Sequence, residues 1–347
     1  MENLNNKKKI CLIYTGGTIG MTQTEFGYAP IPGYMEGSLK KLSELQMLSM
    51  PEYDFIEYAP LMDSSNITLA DWNKMGLDIY NNYNDYDGFV IMHGTDTMAY
   101  TASALSFMLE GLGKPVILTG SQIPFCEVRS DARENLITAI IIAANFDIPE
   151  VCTYFGGMLL RGNRSTKVSA DGLIAFDSPN MEPLAEAGVN IVVNDKLLLK
   201  NAQEFGLCQF GDYQIAVLKI FPGIQYEIFE NIMTDKLKGI VIEAFGAGNI
   251  PQNDDSMIKI LQKAKAKGIH IVVCTQCLKG SAEIGQYETS RELALAGAVS
   301  GFDMTVEAAV TKLYYLLSKG YRGEDSRKLM ETSIRGELTN QTNYVQF

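Results

Sequence analysis

Histidine is scarce in this chain: His93 and His270 are the only two among 347 residues. Both lie in or beside apolar, strand-like runs and read as structural, so a Ser-His-Asp relay or a zinc centre lacks its parts. No Gly-x-Ser-x-Gly occurs, and neither Gly-x-Gly-x-x-Gly nor the Walker pattern is present, which disfavours a nucleophile elbow and nucleotide phosphate binding. Long apolar runs are missing as well. No stretch approaches membrane-spanning length, and Lys7, Lys8 and Lys9 precede only Ile10 to Tyr14, too short for a secretory core. Positive charge is in deficit, with 29 Lys and Arg against 41 Asp and Glu, a formal net charge of -12. That balance disfavours nonspecific binding to nucleic acid or anionic membranes. What remains is a cytoplasmic protein acting on small molecules, with no metal or cofactor implied.

The composition, 46% hydrophobic and 20% charged, supports a full core and most simply two domains. Four of the six cysteines, Cys11, Cys126, Cys152, Cys208, Cys274 and Cys277, fall in apolar or strand-like sequence, the usage of reduced thiols. Cys274 and Cys277 have redox-motif spacing, but nothing around them resembles a thioredoxin-type unit.

Strands are expected at Lys9 to Tyr14, Tyr53 to Tyr58, Asp87 to Met92, Val116 to Thr119 and Val151 to Phe155. Helices are expected from Thr68 to about Tyr80, Met98 to Leu109 and Ser130 to Asn145. Thr22 to Gly37 reads as a loop or hairpin carrying Tyr28, suited to covering a site. The alternation gives an α/β fold with a mainly parallel sheet flanked by helices in residues 1–193. Residues 194–212 read as a linker. Residues 213–347 restart as a smaller α/β domain, with strands at Tyr213 to Ile220, Gly239 to Ile242 and Ile269 to Val273. Its helices are expected near Tyr226, from Asp254 to Lys267 and from Met304 to Leu317; the tail suggests no element.

Chemistry concentrates where strands end. Tyr14-Thr-Gly-Gly-Thr18 and His93-Gly-Thr-Asp-Thr97 each run from a buried strand into a glycine turn, the place where parallel sheets present side chains to ligands. The glycines alone fit a tight turn; the exposed N–H groups of such a turn also suit an oxyanion. Asp63, Ser64 and Ser65 fit a helix cap, and equally the carboxylate and ammonium of an amino acid. Lys167, in the polar run Arg161 to Lys167, is a solvated surface lysine on one reading. On the other it activates a threonine hydroxyl, which is a weak nucleophile unaided.

Together these segments closely resemble the bacterial-type L-asparaginases, the cytoplasmic type I branch in particular. The matching stretches are Tyr14 to Gly20, Leu61 to Ser65, Tyr86 to Tyr100, Lys114 to Pro124, Arg161 to Lys167 and Phe302 to Glu307, in the family's order over nearly the whole chain. The resemblance implies a larger N-terminal and a smaller C-terminal α/β domain, assembled as a homodimer or homotetramer. It implies hydrolysis of L-asparagine to L-aspartate and ammonia through an acyl-enzyme. Thr18 falls on the first catalytic threonine, Tyr28 on the loop tyrosine that helps to activate it, and Thr95, Asp96 and Lys167 on the second catalytic cluster. Asp63, Ser64 and Ser65 fall on the substrate's carboxylate and ammonium contacts, shared with Thr95 and Asp96.

One position departs from the pattern. Some type I enzymes are activated by asparagine at a second, intersubunit site that uses an arginine before a Gly-x-Gly-Asn loop. Here Glu243 stands at that place, while Thr166 and Cys277 fall in segments lining the same site. A carboxylate repels the effector's own carboxylate, although it can pair with the effector's ammonium; weak or absent activation is expected, with a surviving pocket of altered selectivity as the alternative. Two rival readings are a glutaminase-type, ammonia-releasing amidohydrolase, as in the asparaginase-like amidotransferase subunit, and a catalytically silent amino-acid sensor. The first normally carries an extra N-terminal domain, whereas only eight residues precede Lys9. The second has no use for a lysine beside a threonine.

Overall fold

Seven of the eight residues of Lys9–Gly16 are buried, the pattern of a strand covered on both faces. In the computed structural model, which describes residues 7–200, 203–251, 256–285 and 288–339, this run is β1. It leads through the hairpin β2 (Met21–Thr24) and β3 (Gly27–Pro30), helix α1 (Tyr34–Leu39) and strand β4 (Glu52–Met62) to helix α2 (Leu69–Asn82). Strand β5 (Gly88–Met92), helix α3 (Met98–Met108), the short strand β6 (Leu109–Glu110), strand β7 (Val116–Thr119), helix α4 (Ala132–Asn145) and strand β8 (Val151–Phe155) follow. Strand β9 (Met158–Arg161), a small hairpin of β10 (Thr166–Lys167) and β11 (Phe176–Asp177), and strands β12 (Ala185–Ala187), β13 (Ile191–Val193) and β14 (Gly206–Leu207) end the first of two units, which divide between Leu207 and Cys208.

The first unit is built on one eight-stranded sheet in the order β13-β12-β9-β8-β7-β5-β1-β4. The five strands from β8 to β4 are parallel, while β9, β12 and β13 run antiparallel at the other end. Leu136, Ile140 and Ala143 of α4 share one core with Leu12, Val90, Ile117 and Cys152. Helix α2 starts where the Asp71 carboxylate accepts from both the N–H and the hydroxyl of Thr68, at 2.8 and 2.6 Å. Helix α4 begins at Ala132 rather than at Ser130, because the Ser130 hydroxyl accepts from the Ala132 N–H at 3.1 Å. The Asp131 carboxylate is used elsewhere, accepting from the backbone N–H groups of Gln122 and Ile123.

The second unit holds a four-stranded parallel sheet, β15 (Gln214–Lys219), β16 (Leu237–Ala244), β17 (His270–Thr275) and β18 (Ala298–Ser300), in that order. Its helices are α5 (Ser256–Ala266), α6 (Glu288–Leu295), α7 (Val306–Ser318) and α8 (Gly323–Met330). The fold is thus α/β throughout, a larger N-terminal domain with a smaller C-terminal one. The expected helix near Tyr226 is a 3-10 helix, Tyr226–Ile232; Asp254, where the next was expected to start, lies outside the described residues. The tail does carry structure: α8 and the segment after it are held by a fully buried pair, the Lys312 ammonium and the Glu337 carboxylate at 2.5 Å. Lys312 also donates to the carbonyls of Met330 and Thr332, and Glu337 accepts from the N–H groups of Ile334 and Arg335. Every charge-bearing atom there has partners, which is the condition for burying ions.

All six cysteines are free, with Cys11, Cys152, Cys208 and Cys274 buried and Cys126 and Cys277 exposed. Burial pushes the Cys274 thiol up to about 12, so it holds little thiolate for dithiol exchange.

His93, fully buried at the end of β5, is structural. Its Nδ1 lies 2.7 Å from the Gly94 carbonyl, which can only accept, so Nδ1 carries the proton. Nε2 then accepts from the Thr101 hydroxyl at 3.0 Å, and Thr101 accepts from the Trp72 indole N–H at 3.0 Å. The chain of bonds joins β5, α3 and α2 directly behind Thr95. Burial lowers the His93 pKa from 6.5 to about 4. A depressed folded-state value means that the unfolded chain binds a proton first, so this contribution is full above pH 6.5 and is lost as pH falls towards 4. Replacement by His93→Gln, which cannot titrate, is expected to flatten the fall in melting temperature between pH 7 and pH 4 by an amount equivalent to about 3 kcal/mol at most. An unchanged pH dependence in the variant would refute the assignment.

Candidate active site

Parallel strands β4, β1, β5 and β7 end level with one another, so the turns that follow them share one edge. In register, Gly16 lies opposite Met62, Tyr14 opposite Met92, and Met92 opposite Thr119. The first turn has positive φ at Gly16 (129°) and Gly17 (83°), a backbone that side chains rarely adopt. Space is equally decisive. A Cβ on Gly17 would stand 2.4 Å from the Cα of Gly94, one on Gly16 would stand 2.1 Å from the Met62 carbonyl oxygen, and one on Gly94 would meet the Ser64 hydroxyl at 2.5 Å. Three turns, Gly16–Thr18, Met62–Ser65 and Gly94–Thr97, are therefore packed backbone to backbone. Thr18 and Thr95 each directly follow a glycine of the central contact.

Thr18 opens the short 3-10 turn Thr18–Gly20 and is partly exposed. Gly20 closes it over the buried Tyr14 hydroxyl, which stands 1.9 Å from where a Cβ would lie. Asp63 caps the turn Ser64–Asn66, one carboxylate oxygen accepting from the Ser65 N–H at 3.0 Å. Both readings of this segment survive: the cap leaves Asp63 and Ser65 exposed, while Ser64 is buried and its carbonyl accepts from the Thr97 hydroxyl at 2.7 Å.

Lys167 reaches this edge from β10. The turn Gly162–Arg164 that precedes it sits tight on α3, where a Cβ on Gly162 would come within 3.1 Å of the Ala102 carbonyl and the Ser106 hydroxyl. Ser165 fixes the exit, its hydroxyl bonded to the Gly162 carbonyl and 3.2 Å from that of Thr153. The Lys167 ammonium then donates to Thr95 Oγ1 at 2.9 Å and to Asp96 Oδ1 at 2.7 Å. Its side chain is one-fifth exposed, against 64% for Asp96. The surface-lysine reading is thereby set aside, since this lysine is largely covered and bonded to a buried threonine.

Tyr28 sits at the exposed end of the β2–β3 hairpin. Its single phenol proton is donated to Glu127 at 2.5 Å, and this bond holds the phenol above its ordinary pKa. Sequence reasoning gave no role to the loop that carries Glu127, although its first residues end the matching stretch Lys114 to Pro124. Within it, Phe125 N–H donates to the Ile19 carbonyl beside Thr18, and Gln122 Oε1 accepts from the Thr95 hydroxyl at 3.2 Å. The only signal was the Gly120-Ser-Gln-Ile-Pro124 turn closing another buried strand.

The three positions tied to the second site fall in both units. Thr166 pairs with Asp177 in the first. Glu243 is near the end of β16, its carboxylate 3.5 Å from the Lys219 ammonium on the adjacent strand, and the exposed Cys277 donates its N–H to the Thr275 hydroxyl. Among the described residues, no group of three or more His, Cys, Asp or Glu is placed to hold a metal ion, and no helix is long and apolar enough to cross a membrane.

Comparison with known proteins agrees with this architecture. Residues 9–199 match the model of the asparaginase N-terminal domain, and residues 214–330 that of the glutaminase/asparaginase C-terminal domain. The chain is 48% identical over 334 residues to L-asparaginase 1 of Escherichia coli K12, covering 96% of this chain and 98% of that one. The crystal structure of L-asparaginase I from Vibrio cholerae superposes with a TM-score of 0.89 at 46% identity, over 96% of this chain and all of the other. The thermostable L-asparaginase of Thermococcus kodakarensis gives 0.85 at 33%, again over 96% and 100%. With both family domains matched and near-complete coverage of its relatives, the chain belongs to the asparaginase family.

Proposed function

We propose that this protein hydrolyses L-asparagine to L-aspartate and ammonia, with Thr18 as nucleophile. Thr18 Oγ1 attacks the side-chain carboxamide, ammonia leaves, and water hydrolyses the acyl-enzyme. The turn around Gly17 and Thr18 offers backbone N–H groups to the oxyanion. Tyr28, on the hairpin that follows immediately, takes up the Thr18 proton as its own phenol proton passes to Glu127, and the reverse relay protonates the leaving ammonia. Asp63, Ser64 and Ser65, with Asp96, hold the α-carboxylate and α-ammonium, and Thr95 guides the second, hydrolytic step. The reaction needs only water as co-substrate.

The observation that carries this reading is the pair of bonds from Lys167 to Thr95 and Asp96. An ammonium donating to a hydroxyl oxygen stabilises negative charge on it as its proton moves, and the flanking carboxylate fixes the ammonium. A binding pocket gains nothing from that arrangement. The close identity to L-asparaginase 1 supports the choice of substrate. We further propose, from the motif resemblance alone, that the protein works in the cytoplasm as a homodimer or homotetramer.

Ammonia release on addition of L-asparagine is the first test. Thr18→Ala is expected to lower kcat by about three orders of magnitude with an unchanged melting temperature, and Lys167→Met by about two or more. Near-native turnover in Thr18→Ala would remove Thr18 from the role.

We also propose that asparagine activates this protein weakly or not at all. The Glu243 carboxylate lies 3.5 Å from the Lys219 ammonium, and at a position where the family resemblance puts an arginine for the effector's carboxylate it would repel that group. Initial rates against asparagine concentration should follow a hyperbola, and Glu243→Arg should introduce or steepen sigmoidality. A clearly sigmoidal curve for the unaltered protein would contradict this.

A further inference from the structure

We infer that Gln122 is a positioning residue that turns the Thr95 hydroxyl into a hydrogen-bond acceptor facing the substrate; this rests on the role given to Thr95 above. Gln122 is held from three directions, two of them through its side-chain amide. Its backbone N–H donates to Asp131 Oδ2 at 3.0 Å, its Nε2 donates to the Gly172 carbonyl at 3.2 Å, and its Oε1 accepts from Thr95 Oγ1 at 3.2 Å. The Gly172 carbonyl can only accept, so the amide nitrogen must face it and the amide oxygen must face Thr95.

That orientation has a consequence for the proton on Thr95. The hydroxyl oxygen already accepts from the Lys167 ammonium at 2.9 Å. With its own hydrogen committed to Gln122, the remaining lone pair is the only hydrogen-bonding capacity left to the oxygen, and it can only accept. A hydroxyl held in this way accepts a hydrogen bond from an approaching water instead of offering one to it, and so turns a water lone pair towards the acyl carbon. Gln122 also links both ends of the Lys167 hairpin to this hydroxyl, because Gly172 lies between β10 and β11. The same side chain therefore holds the acceptor and braces the loop that delivers its cation.

Replacement separates this role from simple space-filling. Gln122→Met keeps the volume and loses both side-chain hydrogen bonds. Gln122→Glu, when ionised, offers no donor to the Gly172 carbonyl and sets a charge against it; when protonated it donates there and accepts from Thr95, reproducing both bonds. Steady-state kinetics of ammonia release should show kcat in Gln122→Met reduced about 10- to 100-fold, with KM moved by less than about threefold. In Gln122→Glu the ratio of kcat to that of the unaltered protein should rise as pH is lowered from 8 to 5, whereas in Gln122→Met it should stay flat. Melting temperatures identify any variant that fails to fold. Unaltered kcat in a folded Gln122→Met, a loss confined to KM, or a pH-independent ratio in Gln122→Glu would each overturn the inference. If Thr95→Ala is inactive while Gln122→Met is not, only this inference falls; if Thr95→Ala keeps full turnover, the reading of Thr95 falls with it.

Discussion

Contact between two backbones, at Gly17 and Gly94, is the constraint on which the candidate site depends. Strands β1 and β5 are hydrogen-bonded neighbours, and the turns after them can touch only if neither carries a side chain at the meeting point. Any Cβ at Gly17 would overlap Gly94, and φ of 83° at the same residue already disfavours one. The threonines that follow are thereby brought to one mouth by main-chain geometry, which is stiffer than side-chain packing. Ser64, lying against Gly94, and Met62, lying against Gly16, bring the Met62–Ser65 turn to the same place.

The cation at this edge comes from elsewhere in the sequence, Lys167 of β10. Covering an ammonium is costly unless its hydrogen-bonding demands are met nearby. Asp96 and Thr95 meet them, and in doing so place a cation against a hydroxyl. Electrostatics and fold reinforce one another here: the Gly162–Arg164 turn packed on α3 fixes where β10 starts, and β10 fixes where the ammonium ends. The network behind the site follows a different rule. His93 stays neutral, with one nitrogen donating and the other accepting, so it ties helices to the sheet without adding charge beside Thr95.

Much of this was legible in the sequence wherever burial on both faces left a continuous apolar run. Val116 to Thr119 and Val151 to Phe155 were read with the bounds the strands have, and the turns carrying Thr18 and Thr95 were read as following buried strands, as they do. The antiparallel strands β9, β12 and β13 were not anticipated. They are three or four residues long, too short for a period to emerge, and are defined by pairing with neighbours. Helix α8 was missed because what anchors the tail is one buried ion pair, Lys312 with Glu337, which leaves no periodic trace. Gln122 and Glu127 escaped for a related reason: their partners, Thr95, Gly172 and Tyr28, are 27, 50 and 99 residues away. Tyr28 shows the converse, a residue singled out from the sequence whose proton is given to Glu127 in this structure.

The most direct test of the central claim is a crystal structure with L-aspartate bound. The account predicts an α-carboxylate and ammonium held by Asp63, Ser65 and Asp96, and a β-carboxyl carbon within about 3–3.5 Å of both Thr18 Oγ1 and Thr95 Oγ1. A ligand seated elsewhere, or one whose β-carboxyl group reaches neither threonine, would contradict it.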